Sequence, residues 1–393
     1  MIIFGSQAHY SAIGGVENSI RNLLKVAMDR SQPVTLVCRE ALLNESLDAS
    51  AAVLPNGVVL HTYRNEGEIN LFRRLRFLSV GGERVSTLYR RLYNGNPTAR
   101  VIVRHHAHTL AAYSAGFRDI RYLVPSLTVR QLSAELMGSS LRQKCTLLAR
   151  MWIDGWAQKR GLTRASLFVF SVSMKRDVSR YLPTTYQHKN ICVVKPGIDQ
   201  TRFYPATLEE RSLLRARLKL PPEKNLLLFV GRFSQGKGIA YFLQALQILL
   251  DDYIAVLVGE GDRQLTFRHH VESEGLASRV VFAGATSRVD DYYRACNLFV
   301  MPTITESFGQ TFIEAAACEL PIVAFHRATG VVTATHEMGL DMAIEYATEL
   351  NSEALAEAVL KAMTLIPKGG LEMVSDYVHR CYRWEVLLEQ LLD

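Results

Sequence analysis

The residues best equipped for chemistry lie in the second half of the chain, in the run Gly231-Arg232-Phe233-Ser234-Gln235-Gly236-Lys237-Gly238. An apolar stretch at 226–230 precedes it and an amphipathic one starts near Ile239, so the pattern predicts a strand, a glycine loop and a helix. Glycines let backbone amides approach a phosphate, and a helix N-terminus favours its negative charge. Arg232 and Lys237 add two cations. The spelling is close to GxxxxGK, but Gly238 stands where a P-loop needs the Ser or Thr hydroxyl that holds Mg²⁺. The strand at 254–258 ends in Gly259, where a Walker-B site needs an aspartate. The run points to a phosphate site and away from an NTPase; a plain surface loop is the competing reading.

A second constellation is Glu306-Ser307-Phe308-Gly309-Gln310-Thr311-Phe312-Ile313-Glu314, after a strand at 298–301 and Pro302. Thr305 or Ser307 would cap the coming helix. Eight residues on one helix separate two side chains by about 80°. If Glu306 lies in the loop and Glu314 one or two turns into the helix, both point to the carboxyl ends of the strands, where open α/β sheets bind ligands. A helix with two solvated glutamates competes. Gly14-Gly15-Val16-Glu17, after the first strand, offers close backbone approach to a ligand or simply a tight turn. In Arg104-His105-His106-Ala107-His108 the histidines have no partner cluster of Cys, Asp or Glu, which argues against a metal. At a strand's carboxyl end, His106 or His108 suits substrate hydrogen bonding or proton handling.

The elements that position these residues alternate. Short apolar runs sit at 1–5, 33–38, 57–62, 100–104, 121–125, 167–171 and 191–195, and again at 226–230, 254–258, 279–283, 297–301 and 321–325. Helical patterns lie between them, at 15–29, 141–160, 239–250, 263–274, 288–295, 310–318 and 352–364 among others. Alternation predicts α/β architecture with parallel sheets covered by helices on both faces. Both halves open with strand, glycine loop and amphipathic helix, so two Rossmann-like domains are expected: 1–195, 196–375, and a tail at 376–393. The boundary falls at Lys195-Pro196-Gly197. The tail reads as one helix over 377–392 with Trp384, Leu387, Leu388 and Leu391 on one face.

With 393 residues there is length for two domains of about 150–200 residues. No apolar stretch approaches the roughly 18 residues a membrane span needs, and the start reads as a strand with no secretory signal. The six cysteines are scattered, with no CxxC pair, as expected in a reducing compartment, so a cytoplasmic location is predicted. Charge is unevenly placed. Residues 1–195 hold 27 Lys+Arg against 12 Asp+Glu and residues 196–393 hold 18 against 26, so the halves carry +15 and −8. Much of the excess is Arg73, Arg74, Arg76, Arg84, Arg90, Arg91, Arg100 and Arg104. A basic face of this kind attracts phosphates, such as those of an anionic membrane. Nucleic acid is not expected, because no binding motif and no interleaved aromatic platform accompany the arginines.

Taken together, these segments resemble glycosyltransferase family 4, retaining enzymes with the GT-B fold, over nearly the whole chain and most specifically in 226–330. Phe229-Val230-Gly231-Arg232 with Lys237-Gly238 looks like the family's GR…KG loop, and Val258-Gly259-Glu260-Gly261-Asp262 like its VG-x-G segment. Glu306 and Glu314 match its E-x7-E pair, Gly14-Gly15-Val16-Glu17 its GGxE loop, and Ser171-Val172-Ser173 and Pro196-Gly197-Ile198-Asp199 its VS and NGVD segments. The sequence departs from the family at Val124-Pro125-Ser126, where a histidine is usual, at Pro196 in place of Asn, and at Glu319 in place of Gly.

The resemblance implies two Rossmann-like domains facing across a deep cleft, with the C-terminal helix crossing back to the first. Gly231, Arg232 and Lys237 would meet the donor diphosphate and Glu314 the nucleotide ribose. Glu306 would contact the transferred sugar. Ser307, Phe308, Gly309, Gln310 and Thr311 would bind sugar and phosphate through backbone amides. The base would sit near 281–284, against Val281 and Gly284, and Gly14 and Gly15 would close over the diphosphate. No cofactor and no metal are implied. The expected reaction is sugar transfer with retention from a UDP- or GDP-sugar to a glycan or lipid-linked acceptor, in cell-surface polysaccharide, lipopolysaccharide or glycolipid assembly, with peripheral contact to an anionic membrane. A nucleotide-sugar-binding protein without turnover, or a phosphorylase or epimerase on the same fold, is the alternative.

Overall fold

Strands of a parallel sheet are covered on both faces, so their side chains must be apolar throughout. The computed structural model shows this: Asn225–Val230 and Tyr253–Val258 are buried along nearly their whole length. It describes residues 1–7, 14–39, 52–53, 57–63, 83–130, 141–186, 188–365 and 368–393. The chain divides into two units, Met1–Gly197 with Trp384–Asp393, and Ile198–Arg383.

The first unit holds strands β1 (Ile2–Ser6), β2 (Val34–Arg39), β3 (Ala52–Val53), β4 (Val59–Tyr63), β5 (Arg100–Val103), β6 (Ile120–Leu123), β7 (Ser166–Val169) and β8 (Ile191–Val193), in the order β3-β4-β2-β1-β5-β6-β7-β8. All pairs are parallel except the two-residue β3 against β4. Its described helices are α1 (Gly15–Asp29), α2 (Glu83–Gly95), α3 (His106–Ala115), α4 (Leu141–Leu162) and α5 (Val172–Tyr181). The second unit holds β9 (Asn225–Val230), β10 (Tyr253–Val258), β11 (Val280–Gly284), β12 (Leu298–Val300), β13 (Ile322–Phe325) and β14 (Ile344–Ala347), in the wholly parallel order β11-β10-β9-β12-β13-β14. Its helices are α6 (Leu208–Arg217), α7 (Ile239–Ile248), α8 (Gln264–Ser273), α9 (Val289–Ala295), α10 (Gln310–Ala317), α11 (Ser352–Leu365) and α12 (Lys368–Cys381). Each sheet reverses strand order once, between β1 and β5 and between β9 and β12. Loops at the carboxyl side of such a switch point form a crevice suited to ligands.

The tail differs from its sequence pattern. In place of one helix over 377–392 there are two, α12 and α13 (Trp384–Leu392), interrupted at Tyr382 and Arg383. Tyr382 is fixed in the second unit: its carbonyl accepts from Ile198 N–H at 3.0 Å and its hydroxyl donates to the Met338 carbonyl at 2.9 Å. Two residues later α13 packs on α1 in the first unit, burying Trp384, Leu387, Leu388 and Leu391, with Arg30 and Glu389 2.6 Å apart. The tail boundary therefore moves from 376 to 384. Arg73, Arg74 and Arg76 lie outside the described residues, whereas Arg84, Arg90 and Arg91 are exposed on α2. No described helix is long and apolar enough to cross a membrane.

Candidate functional site

At the β9–β12 switch point the chain leaves β9 through Gly231, turns through a short 3₁₀ segment (Gln235–Lys237) and enters α7. Gly238 has φ +69°, and a side chain there would run into the Pro302 carbonyl. Only glycine lets the loop lie so close to the segment after β12. That segment is tied back in turn: Ile304 N–H donates to the Gly236 carbonyl at 2.9 Å, and Glu306 N–H to the Val332 carbonyl at 2.9 Å. Lys237 and Glu306, 69 positions apart, are thereby brought into an ion pair, each side chain about one-fifth exposed. Arg232 is exposed and has no ion-pair partner among the described residues, while Phe233 beside it is fully buried and anchors the loop.

Glu314 lies in α10, which starts after Gly309 (φ +90°) with Gln310 and Thr311 in its first turn. Its Oε2 accepts from the Tyr293 hydroxyl at 2.9 Å, and Oε1 has no hydrogen-bond partner among the described residues. Burial pushes the Glu314 pKa up to about 7, against the Tyr293 hydrogen bond and the Arg202 charge, which pull it down. Ser307 and the buried Phe308 lead into this helix. Val281 and Gly284 sit on the edge strand β11, partly exposed, with the Gly284 carbonyl accepting from Gly259 N–H at 2.9 Å. Arg232, Lys237, Glu306 and the loop before α10 thus all stand at carboxyl ends of strands of one sheet.

The β1–β5 switch point of the first unit is different. Gly14 and Gly15 precede and open α1 as the pattern requires. The histidines, expected at a strand end, instead enter a helix at once. His105 caps α3, its Nδ1 accepting from Ala107 N–H at 3.1 Å, and His106 and His108 fall in the first turns. His108 is fully buried, its two ring nitrogens 3.0 Å from the Tyr63 and Tyr89 hydroxyls. Burial, followed by the His105 charge, lowers its pKa to about 3. Gly5 leaves room for this cluster, since a side chain there would meet Tyr89 and His108. His106 is buried too, its ring 4.0 Å from that of His105, and burial holds its pKa well below the usual range. His106 and His108 thus stand buried in the first turns of a helix, not open at the strand end, and burial disfavours their charged forms. Arg104 is also buried. It hydrogen-bonds Ser19, lies 5.1 Å over the Phe170 ring, and is lowered by burial to a pKa of about 10.

Sequence reasoning missed Tyr293, whose buried hydroxyl holds Glu314, because nothing in Asp-Asp-Tyr-Tyr-Arg marks one tyrosine over the other. It also missed the Val332 carbonyl, a backbone group with no signature. Among the described residues no cluster of three or more His, Cys, Asp or Glu is arranged to hold a metal ion.

Residues 210–368 match the family model for "Glycosyl transferases group 1". A D-inositol 3-phosphate glycosyltransferase from Rhodococcus jostii is 36% identical over 163 residues, 38% of this chain and 35% of that protein. The lipopolysaccharide core biosynthesis mannosyltransferase LpsB from Rhizobium meliloti is 30% identical over 210 residues, 51% of this chain and 56% of that protein. The matches span about a third to a half of these relatives' lengths. Among solved structures, sucrose-phosphate synthase from Thermosynechococcus elongatus superposes with a TM-score of 0.79 at 19% identity, covering 99% of this chain and 96% of that one. Anabaena HepE in complex with UDP-glucose superposes with a TM-score of 0.74 at 15% identity, covering 100% and 98%. These likenesses agree with the family resemblance of the motifs and with the GT-B fold.

Proposed function

We propose, for a chain of GT-B fold whose residues 210–368 belong to the glycosyl transferases of group 1, that the protein is a retaining glycosyltransferase. It moves a sugar from a nucleoside-diphosphate sugar to a glycan or lipid-linked acceptor in the assembly of lipopolysaccharide or a related cell-surface glycan. The observation that carries this reading is the Lys237–Glu306 pair over the β9–β12 switch point, with Arg232, which has no ion-pair partner among the described residues, on the same loop.

A departing nucleoside diphosphate develops charge on its phosphate oxygens, and preorganised cations stabilise it most where water is scarce. Arg232 and Lys237 supply two such charges on a loop that Gly238 and Phe233 hold in place, so no metal is required for leaving-group departure. Glu306 neutralises Lys237 in their ion pair. A diphosphate would draw the ammonium away, leaving the Glu306 carboxylate to accept from a sugar hydroxyl. The Oε1 atom of Glu314 would accept from the ribose, with Val281 and Gly284 along the base and the amides of 307–311 on sugar and phosphate. UDP or GDP is the expected nucleotide, in keeping with the UDP-glucose complex of HepE and the mannosyl transfer in the name of LpsB. The basic first half, at +15, suits an anionic or lipid-linked acceptor at a membrane surface.

The test is a thermal-shift panel of UDP, GDP, ADP, CDP and their sugar conjugates, with Mg²⁺ or EDTA. A ligand that binds only the folded chain raises its melting temperature by mass action. A shift from one nucleotide, insensitive to EDTA and lost in Arg232→Ala and Lys237→Ala, is expected; no shift from any nucleotide would overturn the reading.

A further inference from the structure

Helix α4 is two-sided. Ile153 and Ala157 are buried with Leu110 of α3. About 100° round the helix from them, Leu148, Trp152 and Trp156 are 53%, 72% and 40% exposed. Four-residue spacing stacks these three side chains along the helix as one stripe. Single exposed apolar residues are ordinary, but this chain has three tryptophans and two are here, one turn apart, while the third, Trp384, is buried.

The stripe runs on into cations. One turn further, the Arg160 guanidinium lies 4.7 Å from the Trp156 ring centre. Just past the helix, Arg164 lies 4.7 Å from the Tyr113 ring, which Arg118 approaches to 4.3 Å. Among the described residues none of these three arginines has an ion-pair partner; Asp119 pairs with Arg100 and Arg121, and Asp177 with Arg130. Burial, followed by the Arg164 charge, holds the Arg160 pKa below its ordinary value, as expected where like charges gather. Indole rings favour the headgroup level of a bilayer, and neighbouring guanidiniums meet its phosphates. Leu148 extends the stripe with a side chain that offers no ring to a nucleobase, which favours a bilayer over a nucleic-acid strand.

We propose that the Leu148–Trp152–Trp156 stripe, with Arg160 and Arg164 at its end, seats the protein on an anionic lipid surface with the two indoles in the headgroup layer. This deepens the membrane contact suggested above for the basic half by naming the surface that makes it.

The test uses the full chain with phosphatidylcholine vesicles, with and without phosphatidylglycerol. Tryptophan emission reports on the stripe, because Trp384 contributes a buried background. Acidic vesicles are expected to shift the emission to the blue, and bromine-labelled acyl chains to quench it, both less at high salt. The Trp152→Ser/Trp156→Ser variant should lose vesicle binding by at least about tenfold, and Arg160→Gln and Arg164→Gln about fivefold each. The tryptophan variant should keep its nucleotide-induced thermal shift, which shows that it folds and separates this test from that of sugar transfer. Binding that survives loss of both tryptophans would overturn the assigned surface while leaving a membrane contact elsewhere. No binding by the unaltered chain, or preference for single-stranded RNA over acidic vesicles, would overturn the contact itself.

Discussion

The two switch points carry similar residue types and use them in opposite ways. Over β9 and β12, the cation–carboxylate pair and Arg232 stand where a ligand can reach them. Over β1 and β5, Arg104, His106 and His108 are withdrawn into the unit, the histidines held neutral by burial. The difference lies in how each strand ends. After β9 eight residues of loop pass before α7 begins, so the polar side chains stay outside. After β5 two residues intervene before α3, and its first turns press their side chains against the sheet. Identity at a strand end does not assign a role; the length of the exit does.

That contrast can be broken experimentally. Lys237→Ala should cost the most, lowering turnover by about 10²–10³-fold as for loss of a preorganised donor, with little loss of stability because its pair is partly exposed. Steady-state rates with the preferred sugar nucleotide would check it, and a rate within threefold of the unaltered enzyme would remove Lys237 from the site. His108→Ala should do the reverse. It leaves a cavity and two buried tyrosine hydroxyls without a partner, costing about 3 kcal/mol of stability. Nucleotide affinity of the folded protein should not change, as read by denaturant melts and calorimetry.

Glu314→Gln sharpens the comparison through pH. The Glu314 pKa, about 7 in the fold against an ordinary 4.5, means that the native state holds the proton more tightly than the unfolded chain. Its contribution to stability therefore falls as pH rises from 4.5 to 7, and the glutamine variant should lose that slope. On the proposed role, in which ribose hydroxyls donate to this carboxylate, nucleotide affinity should weaken as pH drops through about 7. In Glu314→Gln it should be weaker by about tenfold above that pH and flat across it; a flat profile in the unaltered protein would contradict the role. Tyr293→Phe should have the smallest effect, about 1 kcal/mol of stability. Its hydroxyl pulls the Glu314 pKa down, so its loss should move the midpoint of the affinity profile above 7.

The strands β9 to β13 and the main helices of the second unit were legible because apolar runs of five residues alternate with helical periodicity, whereas the edge strand β14 (Ile344–Ala347) was not read; Gly238 and Gly309 mark turns that spacing and φ demand. The candidate site was legible to the same extent: Arg232, Lys237, Glu306 and Glu314 stand out by type. What escaped was decided by tertiary placement. The break at Tyr382 and Arg383 interrupts a continuous amphipathic pattern because the residues before it are bonded to one unit and those after it pack on the other. The burial of His108 depends on Tyr63 and Tyr89, which lie 45 and 19 positions away, and Tyr293 and the Val332 carbonyl act through contacts that no local spelling encodes.

The return of α13 to the first unit also sets an order of assembly. The nonpolar seam between α1 and α13 joins residues near the two ends of the chain, and the whole second unit is strung between them. During synthesis, residues 198–383 must leave the ribosome before Trp384, Leu387, Leu388 and Leu391 can close over α1. The first unit made is thus the last completed, and until then it exposes a greasy strip along α1 that a chaperone would have to shield.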